Sequence, residues 1–177
     1  MMHLRFTLSR LARAAFLAAF VALSANLGSA AEPVLKVTSL EGSISFTQAE
    51  FRLLPHVTIK AFNAHEKSEH EYSGVPVHDL LAKAGAPLGE RLRGPALRLA
   101  VIAKALDGYA TLYSLAEFDE SFSDRVILLV DSEDGKPLGE GAGPFRIVAP
   151  GDKRPARWAR MVKSLEIVQF SEAPASK

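Results

Sequence analysis

Seven short runs of apolar and β-branched residues are spread along the chain, and each is four to seven residues long. Runs of this length and composition predict β-strands. No regular alternation of strands with helices connects them, which argues against a parallel α/β fold. The sequence therefore predicts an α+β fold, a strand-rich single domain with a mixed or mainly antiparallel sheet. The predicted strands cover residues 34–37, 57–62, 97–103, 110–113, 126–130, 145–149 and 165–170.

Two segments repeat one local pattern, in which a strand is predicted to turn into a short helix. Thr47 lies three residues before Glu50, and Ser114 lies three residues before Glu117. At this spacing the hydroxyl and the carboxylate can each bind a free backbone N–H group at the start of a helix. We therefore expect a capped helix start at each position.

A longer helix is predicted over residues 77–84. Its apolar side chains repeat at helical spacing, and Gly85 follows as a stop. Further along, Asp134 and Gly135 predict a tight turn between two strands, because both residue types favour turns.

Residues 1–31 have the pattern of a secretory signal peptide. Three arginines precede an apolar run at residues 14–23, and small residues follow at 28–31. The run is about ten residues long, short of the roughly twenty that a membrane-spanning helix needs. The arginines are not adjacent, which favours the general secretory route for unfolded chains. We expect a periplasmic or secreted domain at residues 32–170, no membrane span after cleavage, and a disordered tail at residues 171–177.

The charge and cysteine content exclude several classes of function. The chain has 21 lysines and arginines and 20 acidic residues, and three of the arginines lie in the predicted leader. The mature chain therefore has no broad basic excess of the kind that binds nucleic acid. It has no cysteine. Disulfides, zinc–thiolate sites, iron–sulfur clusters and cysteine nucleophiles are thus excluded.

Histidines and glutamates are concentrated in the first half of the chain. Imidazole and carboxylate groups together suit divalent metal ions, but the spacing here matches no compact ligand motif, and HEKSEHE is not HExxH. We predict a solvated, charged loop and no metal site. The residues concerned are His56, His65, His70, His78, Glu66, Glu69 and Glu71.

No catalytic motif is recognisable. The GxSxG nucleophile motif does not occur. The acidic pairs Asp119 with Glu120 and Asp131 with Asp134 flank turns, where acids usually serve local hydrogen bonding. No residue is therefore assigned a catalytic role.

The glycine-rich stretch GEGAGP, residues 139–144, precedes a cluster of cations. It lacks the Lys-Ser or Lys-Thr of a P-loop. Gly141 and Gly143 would nevertheless let backbone N–H groups approach an anion. The alternative is a tight connection between strands.

A basic segment follows the strand at residues 145–149. Lys153, Arg154, Arg157 and Arg160 fall within eight residues, with Trp158 among them. A helix would bring Lys153, Arg157 and Arg160 to one face, and an extended chain would bring Trp158 and Arg160 together. Either arrangement can bind an anion through charge-assisted hydrogen bonds. In the alternative, the arginines pair with acids such as Asp107, Glu140 or Glu166 and attach the last strand to the domain.

Several short motifs occur in an order that resembles the oxidoreductase molybdopterin-binding domain family, whose fold is that of sulfite oxidase. The chain looks especially like small exported members that carry GPFRIVAPGDKRPARW. Together the motifs cover most of the predicted mature chain. They are YSGVPV at 72–77 with DLL at 79–81, ALDGY at 105–109, DGKPL at 134–138 and GPFRIVAPG at 143–151.

The resemblance implies a molybdopterin cofactor, but this chain lacks the residue that usually binds its molybdenum. In cofactor-bearing members a cysteine binds molybdenum, and basic residues near the C-terminal motif help to hold the pterin phosphate. Arg146, Lys153, Arg157 and Arg160 are the nearest matches to those basic positions. The chain has no cysteine to act as the ligand.

We therefore expect an exported, non-catalytic module without a cofactor that binds a small anion or a partner in a redox complex. Asp107 and Tyr109 are expected to line the rim of its site. The alternatives are a molybdopterin-dependent oxidoreductase acting on a small oxyanion or sulfoxide, and a structural subunit of a redox complex. The predicted ligand-binding residues are Arg146, Lys153, Arg154, Arg157, Trp158, Arg160, Asp107, Tyr109, Gly141 and Gly143.

Overall fold

Ten strands and two short α-helices form the part of the chain that the computed structural model describes, residue 32 and residues 34–170. The predicted leader and tail, residues 1–31 and 171–177, lie outside the described residues. The helices are α1, Gln48–Arg52, and α2, Val77–Lys83. The strands are β1 Leu35–Thr38, β2 Ser43–Phe46, β3 Val57–Asn63, β4 Ser68–Pro76, β5 Leu99–Ala105, β6 Ala110–Ser114, β7 Leu128–Glu133, β8 Lys136–Pro137, β9 Arg146–Val148 and β10 Val162–Gln169.

The strands form two sheets. The first has the order β2-β1-β10-β5-β6, in which β1 and β10 are parallel and the other neighbours are antiparallel. The second has the order β3-β4-β7-β8, with β9 also paired to β7, and all its pairs are antiparallel. The prediction of a strand-rich α+β domain with a mixed sheet is confirmed.

The local helix signals are also confirmed. Thr47 and Glu50 form a capping box at the start of α1. Ser114 and Glu117 form a second one, but the helix that follows is a 3₁₀ turn at Leu115–Phe118. In α2 the apolar side chains point into the core, and the chain leaves the helix at Gly85 with a φ of +88°. A residue with a Cβ rarely adopts such an angle, which explains the glycine at this position.

The charged segment around residues 65–71 is a β-hairpin and not the predicted solvated loop. Strand β4 begins at Ser68, pairs with β3 on one side and with β7 on the other, and continues to Pro76. Its side chains alternate, with Glu69 and Glu71 exposed and Tyr72 buried. In an antiparallel sheet with one solvated face, charged residues can occupy every second position of a strand.

A single hydrophobic core includes residues from both sheets and from α2. Val37 and Leu165 enter it from the first sheet, and Leu129 and Ile147 enter it from the second. Phe51 of α1 packs on Phe145 just before β9, with ring centroids 4.4 Å apart. The packing fixes β9 and the basic segment that follows it against the sheets. Within the described residues, no helix is long and apolar enough to cross a membrane.

Candidate functional site

A cavity of about 530 Å³ opens beside β9, where three connections between strands meet. The turn from β3 to β4 contributes Ala64 and His65, and the turn from β5 to β6 contributes Asp107 and Tyr109. The remaining residues come from β9 and from the basic segment. The full lining is Ala64, His65, Asp107, Tyr109, Arg146, Arg154, Pro155, Ala156, Trp158 and Arg160.

Hydrogen bonds hold the basic segment in place around this cavity. The Trp158 side chain is buried, and its Nε1–H donates to the backbone carbonyl of Ala149 at 3.0 Å. The Tyr109 hydroxyl donates to the carbonyl of Ala156 at 2.7 Å. The segment is neither a regular helix nor extended, because it forms a single 3₁₀ turn at Pro155–Arg157. The cations therefore do not share one face.

Arg146 is the most deeply buried cation of the site, with only 3% of its surface exposed. Its guanidinium carbon lies 5.6 Å from the ring centroid of Tyr72 and 5.6 Å from that of Trp158, as in a cation–π contact. Its nearest carboxylate oxygen is Oε2 of Glu133, 3.7 Å from Nη1. That distance is too long for a hydrogen bond. Its Nε has no hydrogen-bond partner.

Three further buried polar atoms in the second sheet have no hydrogen-bond partner, and two of them belong to side chains that lie near Arg146. They are Asn63 Nδ2, Tyr72 Oη and Glu133 Oε1. Burial raises the pKa of Tyr72 to about 12 and outweighs the effect of the nearby Arg146 charge, so its hydroxyl stays protonated at neutral pH. Buried polar atoms are normally hydrogen-bonded. The pKa of Tyr72 is affected by Glu133 and by Asn63, so these three side chains face one another. Of the unsatisfied groups around Arg146, only Arg146 itself lines the cavity.

Arg157 points away from the cavity into a cluster of ion pairs. Its Nη2 lies 2.8 Å from Oδ1 of Asp152, and its Nη1 lies 3.0 Å from Oε2 of Glu117. Arg125 contacts the same two carboxylates. Hydrogen bonds to Asp152 and then to Glu117 raise the pKa of Arg157, despite partial burial that lowers it. The guanidinium also stacks 4.6 Å over the ring of Tyr113.

The ion-pair partners proposed from the sequence are wrong. Glu166 pairs with Lys104, and the Asp107 carboxylate accepts the N–H of Tyr109 in its own turn. Among the described residues, Glu140 forms no ion pair, and neither do Arg154 and Arg160, the two exposed cavity arginines. The acids that hold the segment are Asp152, five residues before Arg157, and Glu117, which comes near Arg157 only through the fold.

Replacing Arg157 by glutamine should lower the free energy of unfolding by about 1–3 kcal/mol, because Asp152 and Glu117 would lose charge-assisted bonds in a partly buried cluster. Urea unfolding of the purified variant measures this. The matched control is Arg160→Gln in the same segment, which should change stability by less than about 0.5 kcal/mol. Equal effects of the two changes would contradict the assignment of Arg157 to the cluster.

The glycine-rich stretch also lies outside the cavity lining. The N–H groups of Ala142 and Gly143 both donate to the carbonyl of Gly139, so the loop uses these donors internally. The carbonyl of Ala142 accepts the N–H of Met161, which ties the loop to the end of the basic segment. Gly141 has a φ of +76°, as a tight connection requires.

Six of the ten predicted ligand-binding residues line the cavity, and whether they bind a ligand stays a prediction. Two neighbours of Arg146 carry no signal of a site in the sequence, and His65 is a candidate there only as a metal ligand. Glu133 and Tyr72 approach Arg146 only because β7 pairs with β4 and β9. His65 reaches the cavity through the turn between β3 and β4. The six are Arg146, Arg154, Trp158, Arg160, Asp107 and Tyr109, and the other four are Lys153, Arg157, Gly141 and Gly143.

Comparison with solved structures identifies the fold. The structure matches the sulfane dehydrogenase SoxCD from Paracoccus pantotrophus with a TM-score of 0.58 and 22% sequence identity. The chain has the sulfite-oxidase-like molybdopterin-binding fold. The match covers 75% of this chain but only 37% of the SoxCD chain, so this chain spans well under half of the length of that protein. No family model and no curated protein matches the sequence.

The cavity residues fit one part of a molybdopterin cofactor and not another. Guanidinium groups around the cavity suit a phosphate or a similar anion. The domain has no cysteine thiolate with which to bind molybdenum. Among the cavity side chains, His65, Asp107 and Tyr109 have a possible metal-binding atom, and those of Asp107 and Tyr109 already take part in hydrogen bonds. The lining thus fits an anion and does not fit the usual molybdenum ligation.

Proposed function

We propose that this protein is an exported, non-catalytic module that binds an anion in the cavity beside β9. The observation that carries the proposal is Arg146, a buried guanidinium whose Nε has no partner and whose nearest carboxylate is 3.7 Å away. A buried charge is costly unless hydrogen bonds and opposite charge compensate it. An anion in the cavity would supply both.

The exposed arginines of the cavity support the same conclusion. Arg154 and Arg160 line the cavity from the basic segment, and each is free to turn its guanidinium toward a ligand. With Arg146 they give three cations against one acidic lining residue, Asp107. An oxyanion can accept several charge-assisted bonds from such a set.

The size of the cavity favours an occupant larger than a bare oxyanion. Sites for small organic molecules are commonly about 300–1,000 Å³ in volume, and this cavity is about 530 Å³. The anion could thus be carried by an organic molecule. A second possible source of the anion is an acidic side chain of a protein partner. The shared fold with the dehydrogenase SoxCD suggests a partner in a redox complex.

The second candidate function is a molybdopterin-dependent oxidoreductase acting on a small oxyanion or sulfoxide. The shared fold is the observation in its favour, and the lack of any cysteine is the observation against it. Elemental analysis of the protein purified from its native compartment separates the two. We expect less than stoichiometric molybdenum and no visible absorption, whereas one bound molybdenum per chain would overturn the non-catalytic proposal.

Calorimetric titration with sulfate and with inorganic phosphate tests anion binding directly. Changing Arg154 and Arg160 together to alanine should weaken binding about tenfold or more, because two charge-assisted contacts are lost. The melting temperature should stay nearly unchanged, since both side chains are exposed. The control is the double change of Arg93 and Arg98 to alanine, two exposed arginines outside the cavity. Equal losses in both double variants would mean that only general charge matters.

A further inference from the structure

Glu133 lies between two basic groups, Arg146 in the cavity wall and His70 on the other side of the carboxylate. Its Oε2 is 3.7 Å from Nη1 of Arg146, and its Oε1 is 3.7 Å from Nδ1 of His70. Oε1 is buried and has no hydrogen-bond partner. One carboxylate thus lies within ion-pair distance of two cationic groups but is hydrogen-bonded to neither.

His70 is surrounded by acids. Its Nδ1 lies 2.8 Å from Oδ2 of Asp134, and its Nε2 lies 3.1 Å from Oε2 of Glu66. The hydrogen bond with Asp134 is the main cause of a raised pKa for His70, and the charges of Asp134, Glu133 and Glu66 add to it. The side chain is partly exposed, so protons from solvent can reach it. These acids therefore favour the protonated form of His70, a side chain whose charge depends on pH.

Asp134 is held firmly beside His70. It sits in the turn between β7 and β8 with a φ of +50°, and its Oδ1 accepts the N–H of Glu71 at 2.9 Å. Its own N–H donates to the carbonyl of Glu71. The titratable and charged groups that face His70 and Glu133 are Glu66 from the β3–β4 turn, Tyr72 from β4, Asp134 from the β7–β8 turn, Lys136 from β8 and Arg146 from β9.

We propose that Glu133 couples anion binding in the cavity to the protonation of His70. This coupling rests on the proposed anion-binding function. When His70 is neutral, the charge of Glu133 acts mainly on Arg146 and reduces the attraction of Arg146 for an anion. When His70 is protonated, the carboxylate of Glu133 interacts with both His70 and Arg146. The net charge near the cavity is then more positive by one unit. Anion affinity therefore rises as the pH falls through the titration of His70.

The coupling must work in both directions, because linkage between two binding equilibria is reciprocal. A bound anion makes proton uptake by His70 more favourable and so raises its pKa further. For one unit charge acting across a partly solvated protein interior, the change in affinity is about three- to tenfold. By reciprocity, a bound anion raises the proton affinity of His70 by the same three- to tenfold factor.

The test measures sulfate affinity between about pH 5 and about pH 9, a range over which sulfate keeps its charge and histidine titrates. His65 lines the cavity and is itself titratable, so the series is made in a His65→Asn background. In that background we expect affinity to rise about three- to tenfold toward low pH. The additional change His70→Gln should abolish the rise while leaving sulfate binding intact.

A second variant, Asp134→Asn, tests the coupling with His70 left in place, so that a folding defect caused by replacing His70 does not decide the result. Asparagine tolerates the positive φ of this turn and can still accept the Glu71 N–H, so the fold should persist. Loss of the carboxylate charge should lower the His70 pKa and move the midpoint of the pH dependence to lower pH. Glu133→Gln should raise the affinity at high pH and reduce its pH dependence. Nuclear magnetic resonance of the His70 ring should show a higher pKa with sulfate than without.

The outcomes distinguish the two proposals. If sulfate binds and its pH dependence persists in the His70→Gln protein, or if the midpoint is unchanged in the Asp134→Asn protein, the coupling is wrong and anion binding stands. If neither sulfate nor phosphate binds at any pH, the proposed function fails, and the coupling fails with it.

Discussion

Replacing Gly74 with alanine is expected to prevent the chain from folding, or to lower its free energy of unfolding by more than about 3 kcal/mol. Gly74 lies on β4, where the register with β7 shifts by a bulge between Ser73 and Gly74. A Cβ at this position would lie 2.8 Å from the carbonyl carbon of Leu129, and closer still to its oxygen and to Cα of Val130. Cβ atoms essentially never come within 3.0 Å of such atoms.

The atoms that a Cβ at Gly74 would meet belong to the backbone of β7, which cannot move away as a flexible side chain can. Relief would require β4 and β7 to separate, with loss of their ladder hydrogen bonds. These two strands also place Tyr72 and Glu133 against Arg146, so the cavity wall would be disturbed together with the sheet. A domain of this size is stable by only about 5–15 kcal/mol, so the expected loss is a large share of the total.

Gly42→Ala is the matched control for this change. A Cβ at Gly42 would meet nothing within 4 Å, and its φ is not positive. The control should be neutral or slightly stabilising, because alanine restricts the unfolded chain. Soluble yield and urea unfolding of the two variants provide the measurement. A Gly74→Ala protein as stable as the control would show that β4 and β7 do not approach this closely.

The second large effect is expected from Arg146→Met, which should reduce sulfate affinity by about 30-fold or more. The change removes the buried guanidinium that is the central cation of the cavity, and each charge-assisted hydrogen bond to an anion contributes about 1.5–3 kcal/mol. Methionine keeps much of the apolar contact with Tyr72 and Trp158 that the arginine stem makes.

Stability should change by less than about 1 kcal/mol in this variant. Arg146 is buried with an unpartnered Nε and a carboxylate 3.7 Å away, so its desolvation is poorly compensated, and an apolar residue of similar length removes that cost. Glu133 retains His70 as a neighbour. Calorimetric titration and urea unfolding on the same preparation separate the two quantities. A loss of more than about 3 kcal/mol with binding retained would make Arg146 a structural residue.

The fold of this protein could be predicted well from local patterns. The seven apolar runs correspond to strands, although β5 begins at Leu99 because a 3₁₀ turn occupies residues 94–98. Both capping boxes formed as predicted, since each needs only groups three residues apart. Strand β4 was the clear error. Its backbone hydrogen bonds are made with β3 and β7, of which β7 is distant in sequence. Its charged residues obscure the alternation of apolar and polar side chains by which a strand is recognised.

The candidate site was predictable in composition but not in arrangement. Arg146, Arg154 and Arg160 line one cavity, as a basic cluster suggests. Arg157 has the same charge and lies in the same segment, yet it faces Asp152 and Glu117. Nothing in the local sequence separates Arg157 from its neighbours, because Asp152 is near all of them along the chain and Glu117 is 40 residues away.

The sequence by itself determined the strand-rich composition, the capped turns, the lack of any thiolate ligand and the positive charge after β9. These properties depend on residue type and on neighbours a few positions apart. Only the tertiary structure decided which cations face the cavity, that Arg146 is buried without a full set of partners, and that Glu133 lies between Arg146 and His70. Burial and pairing of a charge depend on which strands become neighbours, and strand pairing is a property of the whole chain.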